Sequence, residues 1–314
     1  MTRKNKKKIR LGTRASKLAR IQTKWVIERL EKAHPLKFEE VIISTKGDRD
    51  KTKPLREMGG EGLFVKELER ALLDNRVDIA VHSHKDVPAD MQEGLVIAAI
   101  PERAPTGDLF ISKKYPTVES CPPGTIVGTG SARRRVQLLW AAPGLKIVPI
   151  RGNLDTRIKK LRDGEVSAIV VAEAGLSRIG YEAAAGLNVE PLQPDTMLPA
   201  AAQGALAIQV RAADNEIRNL VKSINCKRSF DCVCAERSFL AGVGGGCHHP
   251  VGALAKVTKN GITLQAMVAR DEDNFVVRLA AQQEEGESAR ELGLRLAADA
   301  KHWIGAAGLT GGDK

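Results

Sequence analysis

The chain has 314 residues, 43% hydrophobic and 28% charged, a length that predicts two or three domains and a composition that leaves no general case for disorder. Lys and Arg number 49 against 38 Asp and Glu, a net charge of +11, which points to a polyanionic partner: nucleic acid, phosphate or a polycarboxylate. Aromatics at 4% leave few stacking platforms and no nucleic-acid-binding motif is present, so no nucleic-acid partner is expected. The basic opening Thr2 to Lys8 reads as a solvated tail followed by no apolar signal core, and no run is long enough to span a membrane; a cytoplasmic protein with no membrane partner is expected. The cysteines are five, and only Cys232 and Cys234 lie close together, which suggests neither a disulfide framework nor a zinc site.

In chain order, Ile9 to Gly12, an amphipathic stretch carrying Leu18, Ile21, Trp25 and Leu30 behind Ser16, and Val41 to Thr45 read as strand, helix and strand. A helix with Leu63, Leu68, Ala71 and Leu72 follows, then the apolar strand Asp78 to Val81 and a strand at Leu95 to Ile100, an order that predicts a parallel sheet. Pro101 to Gly107 breaks all periodicity, as a crossing between domains does. A second α/β pattern has strands near Leu109, Ile126, Lys146 to Ile150 and Ser167 to Ala172, with helices at Ala132 to Ala142 and Leu154 to Leu161. Pro194, Pro199 and Ala200 to Ala202 mark a second crossing, after which Ala205 to Val210 is expected to return to the first sheet. From Cys226 the order becomes helix, three strands starting at Val251, Ile262 and Phe275, and a helix from Glu287 to Ala300. The expected domains are 1–102 with 204–222, then 106–198, then 226–314.

Arginines recur at predicted strand ends: Arg14, Arg133, Arg134, Arg151, Arg157 and Arg178. In open α/β sheets the carboxyl ends of strands line the ligand crevice, a Gly/Ser-rich turn opening a helix presents N–H groups to an anion, and arginine adds a bidentate fork. Each taken alone reads equally well as a surface charge or a helix cap. Lys85 and Asp86, in Val81 to Pro88, sit at a strand mouth where an acid beside a base can hold a cation or relay protons; the plainer reading is a salt-bridged turn. Cys247 follows three glycines and precedes His248, His249 and Pro250, so its thiol has little steric cover and suits attachment of a bulky group; the plainer reading is a structural cysteine, and a metal site is not expected.

Together these segments resemble the hydroxymethylbilane synthase (porphobilinogen deaminase) family over nearly the whole chain. The matching stretches are Leu11 to Ser16, Gly62 to Leu68, His82 to Pro88, Gly128 to Arg134, Arg151 to Asn153, Leu198 to Gly204 and Gly244 to Pro250. The resemblance implies two hinged periplasmic-binding-protein-like α/β domains plus a small C-terminal α+β domain, and a monomeric transferase of porphyrin and heme biosynthesis. It implies that porphobilinogen loses ammonia to give an electrophilic azafulvene, attacked by the growing chain until four units form a linear tetrapyrrole. A dipyrromethane cofactor is implied on Cys247 through a thioether, with Asp86 as the catalytic residue. The cofactor contacts implied are Lys85, Ser83, Thr129, Ser131, Arg133 and Arg134; for substrate they are Arg14, Ser16, Arg151, Asn153, Arg157 and Arg178.

Two positions depart from the family pattern. Glu61 stands where lysine is frequent, and Gly130 stands where serine is common, removing a hydroxyl but keeping the N–H. A non-enzymatic carboxylate- or anion-binding module is the alternative, since two hinged α/β domains also serve solute binding. The third domain with Cys247 is what such a binder does not need.

Overall fold

The computed structural model describes residues 8–44, 65–88, 91–244, 250–270 and 275–306. In chain order the elements are β1 (Ile9–Thr13), α1 (Lys17–Ala33), β2 (Phe38–Ile42), α2 (Lys66–Leu73), β3 (Ile79–Ser83), a 3-10 turn at His84–Asp86, and β4 (Leu95–Ala99). Next come β5 (Asp108–Ser112), β6 (Ile126–Gly128), α3 (Ala132–Ala141), β7 (Lys146–Val148), α4 (Leu154–Arg162), β8 (Ala168–Ala172), α5 (Glu173–Ile179) and β9 (Asn188–Leu192). The chain continues through β10 (Leu206–Arg211), α6 (Asn215–Lys222), α7 (Lys227–Gly242), β11 (Val251–Thr258), β12 (Gly261–Ala269), β13 (Val276–Gln282) and α8 (Ala289–Ala306).

Two compact units result, Met1–Ala104 with Gly204–Phe230, and Pro105–Gln203 with Asp231–Lys314. The first holds a five-stranded sheet of order β2-β1-β3-β10-β4. Its strands β1, β2 and β3 are parallel, as the βαβ pattern predicts, but β10 enters antiparallel between β3 and β4. The sheet is therefore mixed where the sequence suggested a parallel one, because the returning segment arrives from the opposite end. Alternation along β3 sends Ile79 and Val81 to the face covered by Val26 and Leu30 of α1, and Ala80 to the face covered by Leu68 and Leu72 of α2.

The second unit repeats this order as β7-β6-β8-β5-β9, with β6, β7 and β8 parallel and β5 antiparallel. Leu109, Ile111 and Ile169 pack on Ile158, Leu161 and Leu176, while Phe110, Val127 and Val170 share a cluster with Leu138 of α3 on the other face. The same unit contains the antiparallel sheet β11-β12-β13. Ala253, Ala255 and Leu264 lie against Phe239 of α7 and Leu292 and Leu296 of α8; Leu254 and Met267, on the opposite face, meet Val136 and Leu198.

The side chains of Ser16, Ser131, Asn153 and Asp214 accept from backbone N–H groups and start α1, α3, α4 and α6. Gly152 has φ +111° and a Cβ there would lie 2.6 Å from Thr156, so the turn before α4 requires glycine. Phe239 is fully buried between the third sheet and its helices. Phe239→Ala is expected to lower stability by about 3–5 kcal/mol, read as a shift of the urea unfolding midpoint.

Candidate active site

Because β1 and β3 are parallel, their carboxyl ends open on the same edge of the first unit's sheet. Arg14 and Ser16 follow β1, while Ser83, Lys85 and Asp86 end or follow β3. The 3-10 turn is anchored at both ends: His84 N–H donates to the Ala205 carbonyl at 3.0 Å, and Val87 N–H to that of His84 at 3.1 Å. Val87 is also buried against Val65 and Ala207. Asp86 is consequently an exposed carboxylate on a buried root, with Lys85 half-buried beside it. Ser83 shares hydrogen bonds with the Gln22 amide at 3.1 and 3.2 Å. Ser16 caps α1 by accepting from Ala19 N–H at 3.3 Å.

The second unit has an equivalent edge. The carboxyl ends of β6, β7 and β8 bring Thr129 and Ser131, then Arg151, Asn153 and Arg157, then Arg178 toward one end of the sheet. Asp108 opens the antiparallel β5 opposite Ala172, so it lies at the same end. Its carboxylate accepts from Arg133 at 2.8 Å on Oδ2 and from Arg134 at 2.7 and 3.1 Å on Oδ1, with Gln203 adding a bond at 3.0 Å. Arg133 also donates to the Leu198 carbonyl and Arg134 to that of Val170.

Sequence reasoning assigned Arg133 and Arg134 to a ligand and missed Asp108. The structure buries both guanidiniums and aims them at this shared carboxylate. Two cations on one anion leave the trio net positive. Burial pushes Arg133 below the usual arginine range, Asp108 opposes that shift, and the like charge of Arg134 reinforces it. Burial likewise lowers Arg178, to about 10.

Thr129 is buried and its hydroxyl accepts from Ser131 N–H at 3.2 Å. Ser131 caps Arg134 N–H, and Asn153 Oδ1 takes Thr156 N–H at 2.9 Å. Arg157 Nε donates to the Gly152 carbonyl at 2.9 Å. Arg14, Arg151 and Arg178 are half-buried. Gln22 and Gln203 were also missed; their partners are 61 and about 95 residues away in the chain, a distance that no local pattern records. Cys247, His248, His249 and Glu61 lie outside the described residues.

Among the described residues no group of three or more His, Cys, Asp or Glu is arranged to hold a metal, and no helix is long and apolar enough to cross a membrane. Burial pushes the Cys121 thiol up to about 11, helped by Glu190 and Glu119, and raises Cys234.

A family profile described as porphobilinogen deaminase, dipyromethane cofactor binding domain, matches residues 9–219, and one for the porphobilinogen deaminase C-terminal domain matches 230–302. The chain is 41% identical over 295 residues to a porphobilinogen deaminase of Listeria monocytogenes serotype 4b (strain CLIP80459), covering 94% of each. It is 46% identical over 255 residues to that of Exiguobacterium sibiricum, covering 81% of this chain and 82% of the relative. Among solved structures it is similar to an ABC transporter periplasmic substrate-binding protein from Coxiella burnetii at 15% identity and TM-score 0.42, over 73% of this chain and 96% of that one.

His82, in the strand that leads into the Asp86 turn, is 5% exposed. Burial lowers its pKa from 6.5 to about 4, a bond to Gln209 opposing and the charge of Arg14 adding. Between those values the unfolded chain binds the extra proton, so the stability due to neutral His82 is complete above 6.5 and lost as pH falls toward 4. Going from about pH 7 to about pH 5 is expected to remove about 2 kcal/mol through this group. Urea titrations at both pH values should show a correspondingly smaller loss in His82→Gln.

Proposed function

The chain belongs to the porphobilinogen deaminase family, and we propose that in the cytoplasm, as a monomer, it uses Asp86 as its catalytic carboxylate and the second unit's arginines to hold pyrrole carboxylates. The family is one of transferases that join four porphobilinogen units head to tail, with loss of ammonia, into hydroxymethylbilane. The substrate class is therefore a pyrrole bearing acetate and propionate arms. The observation that carries the assignment of roles is the buried trio of Arg133, Arg134 and Asp108, net positive at the strand edge shared with Arg151, Arg157 and Arg178.

The matched domain is a dipyrromethane cofactor binding domain. The donor set at this edge fits such a group, since a dipyrromethane bears carboxylates and the edge offers guanidiniums, hydroxyls and the N-terminus of α3. Arg133, Arg134, Thr129 and Ser131 would hold it there; Ser83 and Lys85 are the further cofactor contacts that the family resemblance implies. The anchor in this reading is a thioether to Cys247; burial keeps the thiols of Cys121 and Cys234 protonated and so poorer nucleophiles. When bound, the group supplies the free pyrrole α-carbon to which incoming rings are joined.

Asp86 suits its role because its carboxylate is exposed while the residues on either side are fixed. An ionised carboxylate accepts from pyrrole N–H groups, stabilises the cation left when ammonia departs, and takes a proton when the ring regains aromaticity. Arg14, Ser16, Arg151, Asn153, Arg157 and Arg178 take the acetate and propionate arms of the incoming substrate. Bidentate guanidinium contacts there fix the ring's orientation, which is the larger part of what a two-substrate condensation requires.

Intact mass of the denatured protein beside Cys247→Ser tests the anchor. The expected result is an excess equal to two linked pyrrole rings, present only with Cys247; an unmodified chain that gains nothing on incubation with porphobilinogen overturns the reading. Asp86→Ala is expected to fold, keep that mass, and lose about 10²–10⁴-fold in kcat, and normal turnover would remove Asp86 from the central role. Arg151→Ala is expected to impair elongation or cofactor loading; unaltered kinetics would make it a bystander.

A further inference from the structure

We propose that a buried side-chain relay, Glu69–Gln209–His82, is a positioning device that fixes the root of the Lys85–Asp86 turn, and that Gln22 closes the clamp from the other face of the sheet. The proposal rests on the reading of Asp86 as the catalytic carboxylate. In the antiparallel ladder between β3 and β10, His82 pairs with Ala207 and Gln209 with Ala80. His82 and Gln209 are therefore diagonal neighbours on one face, close enough for long side chains to meet. The pairing of β10 with β4 shifts register between Ile208 and Gln209, an irregularity of the kind that re-aims a side chain.

On that face Glu69 of α2 accepts from Gln209 Nε2 at 2.9 Å, and Gln209 Oε1 lies 2.9 Å from His82 Nε2. A carboxylate only accepts, so the Gln209 amide has one orientation: its nitrogen toward Glu69, its oxygen toward His82. That oxygen in turn requires a proton on His82 Nε2. The relay thus has a direction and selects one tautomer of a neutral imidazole. The low pKa of His82 agrees with this state, in which no second cation adds to Arg14.

Ser83 points to the opposite face. There the buried Gln22 of α1 holds its hydroxyl at 3.1 and 3.2 Å. Consecutive residues are thus tied to helices on both faces immediately before Asp86 leaves the sheet. Gln209 is fully buried, flanked in β10 by the buried Ile208 and Val210. Apolar side chains would fill that space equally well, but they would not fix a direction.

The test measures kcat and KM for porphobilinogen, with the adduct mass checked for each variant, alongside 15N spectra of histidine-labelled protein assigned by difference with His82→Asn. Gln209→Leu and Glu69→Leu are expected to lower kcat roughly 10- to 100-fold with KM within about twofold. Glu69→Gln, which keeps an acceptor, should retain most of the activity. His82 should appear neutral and protonated on Nε2 near pH 7. Normal kcat in folded Gln209→Leu overturns the proposal, and so does protonation on Nδ1, which decides the matter should the leucine variants fail to fold. Asp86→Ala is measured in parallel: normal turnover there defeats the Asp86 reading and this proposal with it. Loss of turnover in Asp86→Ala beside a normal Gln209→Leu defeats the positioning role alone.

Discussion

Asp108 is fully buried and meets two guanidiniums, and the chemistry of the second unit's strand edge depends on how that charge is shared. Removing each ion from water costs several kcal/mol even after relaxation, and it is recovered only where geometry and hydrogen bonding are good. Here they are: Asp108 receives bonds on both oxygens, and the guanidiniums find the carbonyls of Leu198 and Val170 as well. The arginines stand in the first turn of a helix, which contains no acidic residue, at the end whose dipole already disfavours cations. Two arginines in that position run against the helix dipole, and their burial on a shared carboxylate is what accommodates them. One carboxylate cannot neutralise two guanidiniums and a helix N-terminus, so the cluster keeps a net positive charge.

The same carboxylate organises the backbone around it. Gln203 donates to Asp108 and to the carbonyls of Thr106 and Gly107, so one amide joins the segments at the two chain crossings. Its neighbour Ala202 has φ +61°, uncommon for a residue with a side chain, and its N–H is taken by the buried carboxylate of Glu236 on α7. The other oxygen of Glu236 accepts from Ala255 in β11. Continuous polar contacts therefore run from the arginine cluster through the crossing segment to the helix and sheet of the C-terminal part, the part that carries Cys247.

What the sequence revealed follows from the range of each interaction. Helical spacing behind Ser16 and the apolar runs of β3, β5 and β8 are local signals, and they placed these elements within a few residues. Strand β9, with Asn188, Glu190 and Pro191, has no alternation to read; among the described residues it is an edge strand paired with β5, where proline is tolerated. The antiparallel entry of β10 was equally hidden, since residues do not encode the direction from which a segment arrives. The strand-mouth arginines and Asp86 could be proposed from the sequence because turn chemistry and the family motifs are local. Asp108, Gln203, Gln22 and the relay to His82 join residues tens of positions apart and needed the fold. His82 lay inside a recognised motif, yet nothing in that motif tells that its partner is Gln209, 127 residues away.

Three of the expected ligand contacts, Ser16, Ser131 and Asn153, turn out to be helix N-caps, which looks at first like the plainer structural explanation displacing the functional one. The hydrogen-bond chemistry makes the two compatible. Capping uses an acceptor: a serine lone pair or the Asn153 carbonyl oxygen takes the backbone N–H. The serine hydroxyl proton and the Asn153 amide protons are donors, and a carboxylate arm needs donors. Capping therefore spends the part of each side chain that would repel an anion and fixes the rotamer of the part that attracts one, beside N–H groups whose dipole favours negative charge. Helix initiation and carboxylate binding can thus select the same residue at the same position. In this chain the three caps stand behind β1, β6 and β7, the strands whose ends also bring Arg14, Arg133, Arg134 and Arg151.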